Sequence, residues 1–193
     1  MLIAVEGIDG AGKTTISSYI AELLRKRGYM VKVFKEPSNS EYGRKIKNSK
    51  DRLSPEEELE LFLKDRDIDV RDNIKPALQK GFFVVMDRYY LSNIAYQSAR
   101  GIDARLIRER NEKIAPKPDL TILLDVEPEI AMERLRKRGE LSPFERLDYL
   151  REVRKRFLEN ADEKTVVVDA SKPLDKVMED VKKIIDELIK AKP

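Results

Sequence analysis

Leu2-Ile3-Ala4-Val5-Glu6-Gly7-Ile8-Asp9-Gly10-Ala11-Gly12-Lys13-Thr14-Thr15 is the stretch that decides the fold. Its opening run is apolar, too short for a signal peptide or a membrane span and suited to a buried strand. Gly7, Gly10 and Gly12 let the backbone curl, and a helical pattern starts at Lys13. The spacing G-x-x-x-x-G-K-[ST] has physical meaning at such a junction, because successive backbone N–H groups and the helix N-terminus converge there on one phosphate. Strand, spacing and helix agree, so a glycine turn that binds nothing is the weaker reading. The expected ATP cradle comprises Gly7, Ile8, Asp9, Gly10, Ala11, Gly12, Lys13, Thr14 and Thr15. Lys13 would grip the β- and γ-phosphates, and the Thr14 hydroxyl would ligate Mg²⁺.

Outward from this segment, five short apolar or β-branched runs read as buried strands: Leu2–Glu6, Val31–Lys35, 82–87, Leu120–Asp125 and Thr165–Asp169. Helical spacing fills the intervals at 13–27, 55–80, 92–115 and Pro128–Arg138, and again at 173–190, where Leu174, Val177, Val181, Ile184, Ile185 and Leu188 share one apolar stripe. The alternation predicts an α/β fold of the P-loop NTPase type, a three-layer α/β/α sandwich around a five-stranded parallel sheet. Nothing divides the chain, so residues 1–193 read as a single domain. The polar stretch 36–54 reads as a substrate-side loop. The basic run from Arg134 to Arg156, interrupted by Gly139 and Pro143, suggests a lid at about 134–150, with a solvated helix face as the alternative.

Composition narrows the chemistry. With 193 residues and 41% hydrophobic content the chain can bury a substantial core. Lys and Arg number 39 against 36 acids, a near balance that speaks against a nucleic-acid footprint. Charged residues make up 39% of the chain and cysteine is absent, a combination that fits the surface ion-pair networks of a thermophile. Without cysteine or histidine there is no disulfide frame, no thiolate nucleophile and no imidazole base. Catalysis must rest on Lys, Arg, acids or a metal. A cytoplasmic protein with no membrane and no nucleic-acid partner is expected.

A P-loop does not name a reaction, since hydrolases, switches and kinases share it. The second signal is Asp87-Arg88 at the end of the third strand, the sheet edge where open α/β folds bind ligands. Asp87 could hold Mg²⁺ through water, and Arg88 could clamp a phosphate in bidentate fashion; a strand-end ion pair is the plain alternative.

The surrounding blocks resemble the thymidylate (dTMP) kinases. They are Glu6 to Thr15, Lys35-Glu36-Pro37, Leu61-Phe62 with Asp65-Arg66, Asp87-Arg88-Tyr89-Tyr90, Ser92-Asn93-Ile94-Ala95-Tyr96-Gln97, Leu124-Asp125-Val126, and the run from Arg134 to Glu140. They stand in the family's order. The resemblance implies transfer of the γ-phosphoryl of Mg-ATP to dTMP by a homodimer. It implies that Phe62 stacks on the base, with Arg66 one helical turn away, and that Asn93, Tyr96 and Gln97 lie near base and sugar. It further implies that Arg88 binds the acceptor phosphate, that Glu36 lies in the loop after the second strand, and that Asp9 lies near the catalytic centre. Core packing is the competing reading of Phe62, because Leu59 and Leu63 complete an ordinary apolar stripe. Where many relatives carry arginine before Glu-Pro, this chain has Lys35. The P-loop carries no arginine either, which resembles the type that draws its cations from the lid, here Arg134 and Arg138. A kinase of another or broader set of pyrimidine monophosphates and a P-loop switch ATPase are the rivals.

Overall fold

The fold, described here from a computed structural model, covers residues 1–49, 53–139 and 147–190, with the Arg138 side chain outside the described set. Leu2–Glu6 forms β1 and is buried along its whole length, as its apolar composition demands. Parallel neighbours flank it: β3, Phe83–Asp87, on one side and β4, Leu120–Asp125, on the other. β2, Val31–Lys35, lies outside β3, and β5, Thr165–Asp169, lies outside β4. The order β2-β3-β1-β4-β5 makes a five-stranded parallel sheet with helices against it, the predicted architecture. The two edge strands keep exposed residues, including Val33, Val166 and Val167. The chain winds from β1 outward to β2, back to β3, and then past β1 to β4 and β5, so the direction of winding reverses beside β1. The crevice beside β1 is therefore the switch point at which such sheets bind ligands.

Helix α1, Lys13–Lys26, buries Ile16, Ile20 and Leu24 on one face. The polar stretch expected as loop contains α2, Glu41–Asn48. Eight residues with only Tyr42 and Ile46 as large apolar side chains are too short a run to announce a helix, and tertiary contacts hold it: Ser40 caps its N-terminus, and Asp65 accepts from Ser38 N and Ser40 Oγ at 2.7 and 2.6 Å. The predicted helix 55–80 is three pieces. α3, Pro55–Asp69, opens with a Ser54–Glu57 capping box; a wide π turn follows over Val70–Ile74; and α4, Lys75–Gln79, ends the run. Pro76 has no N–H and its ring crowds the carbonyl four residues back, and the wide turn directly precedes it.

The predicted helix 92–115 starts earlier and breaks in the middle. α5 spans Tyr90–Ser98 and α6 Ala104–Glu112; Gly101, at φ +100°, and the Asp103 cap separate them. α7, Pro128–Arg138, ends at Gly139 in the left-handed region. Part of the basic run is packed helix, since α8, Leu147–Glu159, buries Leu150, Val153 and Phe157. Residues 140–146, the centre of the expected lid, lie outside the described residues. α9, Leu174–Lys190, buries Val177, Val181 and Ile185 of the predicted stripe; Ile184 and Leu188 are half-buried against the core, and Leu174, at the first turn, is exposed.

Candidate active site

The cradle forms because β1 stops at Glu6 and the chain turns into α1 within six residues. Gly7 and Gly10 have positive φ, and a Cβ on either would sit 2.6 Å from Leu124 O or 2.4 Å from Ala131 O. Only glycine fits that approach. Gly12 caps α1, whose first N–H groups have no intrahelical partners and face the loop. Lys13 folds back to donate to Ile8 O at 2.7 Å. Burial, with repulsion from Arg88, lowers its ammonium to about 8, while Asp9, Asp87 and Glu6 pull the other way. An entering phosphate would reinforce the charged form.

Thr14 Oγ1 donates to Asp87 Oδ2 at 2.6 Å, and Lys35 Nζ lies 3.3 Å from the same oxygen. Asp87 Oδ1 is buried with no partner among the described residues. No cluster of three metal-binding side chains occurs among those residues. A hydroxyl beside an unsatisfied carboxylate oxygen fits Mg²⁺, which keeps much of its water and shares the remaining positions with substrate phosphates.

Arg88 projects from the end of β3, where Val5 is paired with Asp87. Its guanidinium bonds Asp9 Oδ1, donates to Ser92 Oγ at 3.2 Å and lies 5.2 Å from the Tyr96 ring centroid. Tyr96 Oη donates to Asp9 Oδ2 at 3.2 Å and accepts from Asp9 N at the same distance. Burial by itself would raise the Asp9 carboxyl, but the Arg88 and Lys13 charges outweigh it and hold the group well below the usual range.

A cavity of about 310 Å³ opens beside Arg88, and its lining includes all seven residues expected on the substrate side: Glu36, Phe62, Arg66, Arg88, Asn93, Tyr96 and Gln97. Phe62 is only partly buried and lies outside the core cluster, whereas Leu59 and Leu63 belong to it. The core-packing reading of Phe62 therefore loses its support. Arg66 is 1% exposed, and much of its guanidinium is spent on the protein. It makes a bidentate pair with Glu36 and bonds Asn93 and Asn111. Only one N–H on Nη2 is left for anything else. Glu36, 2% exposed, anchors Arg66 from the loop after β2.

Two features escaped the sequence reading. Glu6 is fully buried, and its Oε1 accepts from Tyr89 N and Ser92 N at 3.0 and 3.1 Å, so an acid of β1 caps α5. Burial raises its carboxyl to about 7 against the pull of Ser92 and Arg88. An acid ending an otherwise apolar strand was the available signal. The second feature is a cavity of about 220 Å³ on the far side of the cradle, bounded by Gly10, Gly12, Thr15, Arg134, Ala170 and Lys172. Arg134 donates to Ala170 O at 2.9 Å there. The loop after β5 has no phosphate signature, and only folding brings it to the P-loop. The side chain of Arg138, the other candidate lid arginine, lies outside the described residues.

The thymidylate kinase family model matches residues 5–181. A probable thymidylate kinase of Archaeoglobus fulgidus is 78% identical over 192 residues, covering 100% of this chain and 98% of its own. A thymidylate kinase of Xanthomonas euvesicatoria is 42% identical over 96% of this chain and 83% of its own. A probable thymidylate kinase of Pyrobaculum aerophilum is 39% identical over 98% of both. With the cradle, the clamp and the pocket in one cleft, and a match over nearly the whole chain, this protein belongs to the thymidylate kinase family.

Proposed function

We propose that the chain transfers the γ-phosphoryl of ATP to the phosphate of dTMP, giving ADP and dTDP. One observation carries the reading: Asp9 and Arg88 line both the phosphate cradle and the 310 Å³ cavity, so the two compartments meet at these two side chains. A donor phosphate above Lys13 and an acceptor phosphate at Arg88 would therefore face one another. A switch ATPase has no use for the second compartment.

Phosphoryl transfer passes through a loose, anionic transition state, so positioned cations matter more than a base. Lys13 binds donor phosphate oxygens and Arg88 orients the acceptor phosphate, whose oxygen is already ionised at neutral pH. Asp9 keeps Arg88 aimed at the junction, and Tyr96 keeps Asp9. Thr14 and Asp87 would hold the Mg²⁺ of Mg-ATP, which when bound neutralises charge on the transferring phosphoryl group. Phe62 offers an aromatic face to a pyrimidine, with Arg66, Asn93 and Gln97 at its edge. The second cavity, beside Arg134 and the loop after β5, suits the donor's base. Arg134 and Arg138 are the lid cations in this reading, and one domain spans 1–193.

The test is a coupled assay with ATP against dTMP, dUMP, UMP and dCMP. Preference for dTMP is expected; ATP hydrolysis indifferent to any acceptor would overturn the proposal in favour of a switch. Lys13→Ala should cut turnover by roughly 10³-fold or more, with the far-ultraviolet circular dichroism unchanged. Near-parent activity in that variant would remove the cradle from the mechanism.

A homodimer is proposed on the family resemblance, and light scattering at working concentration checks it. No helix among the described residues is long and apolar enough to cross a membrane. A cytoplasmic location, where ATP and nucleoside monophosphates are available, completes the reading.

A further inference from the structure

A hydrogen-bond chain runs along the wall of the acceptor cavity, and the groups at its ends dictate its direction. Ile107 O can only accept, so Asn111 turns Nδ2 toward it at 2.8 Å and gives its second hydrogen to Asn93 Oδ1 at 3.0 Å. Arg66 can only donate, and its Nη1 meets the same Asn93 oxygen at 3.3 Å. Both lone pairs of Asn93 Oδ1 are thus used, and Asn93 must turn Nδ2 the other way, to Gln97 Oε1 at 2.7 Å. Gln97 must then present Nε2 to Glu58 Oε2, 2.7 Å away, and a carboxylate only accepts. Every amide orientation follows from partners with a single possible role.

The unspent positions form a pattern. Gln97 Oε1 keeps one lone pair, and Asn93 Nδ2 and Gln97 Nε2 keep one N–H each. Both residues and Glu58 line the cavity. A 4-keto pyrimidine offers an N3–H donor beside a carbonyl acceptor, and a 4-amino pyrimidine offers the reverse. An acceptor flanked by donors pairs with the first and leaves the second with opposed groups, a penalty larger than a simple misfit.

We propose that Glu58 is a specificity-determining positioning residue: its carboxylate clamps the Gln97 amide in the orientation that favours a 4-keto over a 4-amino pyrimidine monophosphate. The inference rests on the acceptor reading of this cavity given above. Asn93 is fixed from the Arg66 and Asn111 side alone. Gln97, with one more rotatable bond, is held by Asn93 at its oxygen and by Glu58 at its nitrogen. Without Glu58 its terminal amide turns about a broad sp³–sp² torsion against a single remaining bond. Arg100 braces Glu58 from behind, donating to Oε2 and to Leu53 O, both at 2.5 Å.

The experiment compares kcat/KM for dTMP and dCMP in the parent, Glu58→Ala and Glu58→Gln. In Glu58→Ala the dTMP:dCMP ratio should fall roughly tenfold, through a higher KM for dTMP with KM for ATP unchanged. Glu58→Gln, whose amide oxygen still accepts from Gln97 Nε2, should keep the parent ratio. A purely structural role would lower both acceptors together. A Glu58→Ala ratio within about twofold of the parent, or an equal loss in both variants, would overturn the proposal. Gln97→Met provides a second arm should Glu58→Ala fail to fold: it keeps the bulk, removes the amide and should lose the ratio to the same extent. If the parent phosphorylated neither nucleotide, the reading of the reaction would fail. Calorimetric binding of dTMP and dCMP to parent and variants would then still decide whether Glu58 sets the preference.

Discussion

Arg88 stands at φ +71°, the one non-glycine residue in the left-handed region among those described. For an arginine that conformation costs about 1–3 kcal/mol and persists only where its surroundings over-determine it. Two bonds bracket the strained residue: Arg88 N donates to Val5 O at 3.0 Å, and Tyr89 N donates to Glu6 Oε1 at 3.0 Å. The strain turns the guanidinium off the strand axis and into the junction of the two compartments. Glu6 therefore carries a prediction. Its carboxyl titrates near 7 in the folded protein against 4.5 for the ordinary group, so between those values the native state holds a proton that the unfolded chain has lost. Stability from this group is full below about 4.5, falls as pH rises toward 7 and is flat above, by an amount on the order of 3 kcal/mol. Glu6→Gln, which cannot ionise, should lack that decline. Denaturant melts at pH 5 and pH 8 should show the variant gaining on the parent at the higher pH, and parallel losses in the two proteins would contradict the assignment. Arg88 was legible because an Asp-Arg pair ended a predicted strand. The role of Glu6 was not, since its donors lie 83 and 86 residues away in sequence.

At the scale of elements, the boundary between loop and helix around residues 36–54 is set by one carboxylate. Asp65, on α3 and 1% exposed, accepts from Ser38 N, Ser38 Oγ and Ser40 Oγ. Ser40 in turn caps α2, and Gly43 has no room for a Cβ against Ser38 O and Asp65. The same loop begins with Glu36, which anchors Arg66. Asp65→Ala leaves these donors unpaired, and a cost of about 2–3 kcal/mol is expected in urea melts. The acceptor KM should rise several-fold while the ATP KM stays near the parent value. An unchanged acceptor KM would separate α2 from the acceptor side. Helix periodicity could not reveal α2, because its order comes from a side chain on another helix. The break between α5 and α6 had a local signal in Gly101 and Asp103, yet the apolar spacing continued past it. Spacing reports which face is buried, not whether one helix or two supplies that face.

For the whole molecule, charge is organised into shared pairs. Arg154 contacts Asp125 and Glu127, Asp186 joins Arg27 and Lys182, and Asp180 joins Lys172 and Lys183. Isolated exposed pairs contribute little, but networks gain as temperature rises because the desolvation penalty of their members falls. A melting temperature well above the mesophile range of about 45–65 °C is expected, dropping in high salt. Calorimetry giving a midpoint inside that range would remove the thermophile reading.

By itself the sequence determined the five strands, the parallel sheet and the cradle, while Phe62, Arg66, Asn93, Tyr96 and Gln97 of the cavity wall were picked out by resemblance to the thymidylate kinases. The strands, the sheet and the cradle depend on local spacing, and a glycine loop between a strand and a helix has few ways to fold. Only the tertiary structure decided that Asp9 and Arg88 join the two compartments, that Glu6 caps a helix from another element, and that the loop after β5 lines a cavity with the P-loop. The same holds for Glu58, which acquires its role through Gln97 and Asn93, 39 and 35 residues further along the chain. Each of these is a contact between distant segments, and its geometry follows from how the strands order themselves in the sheet.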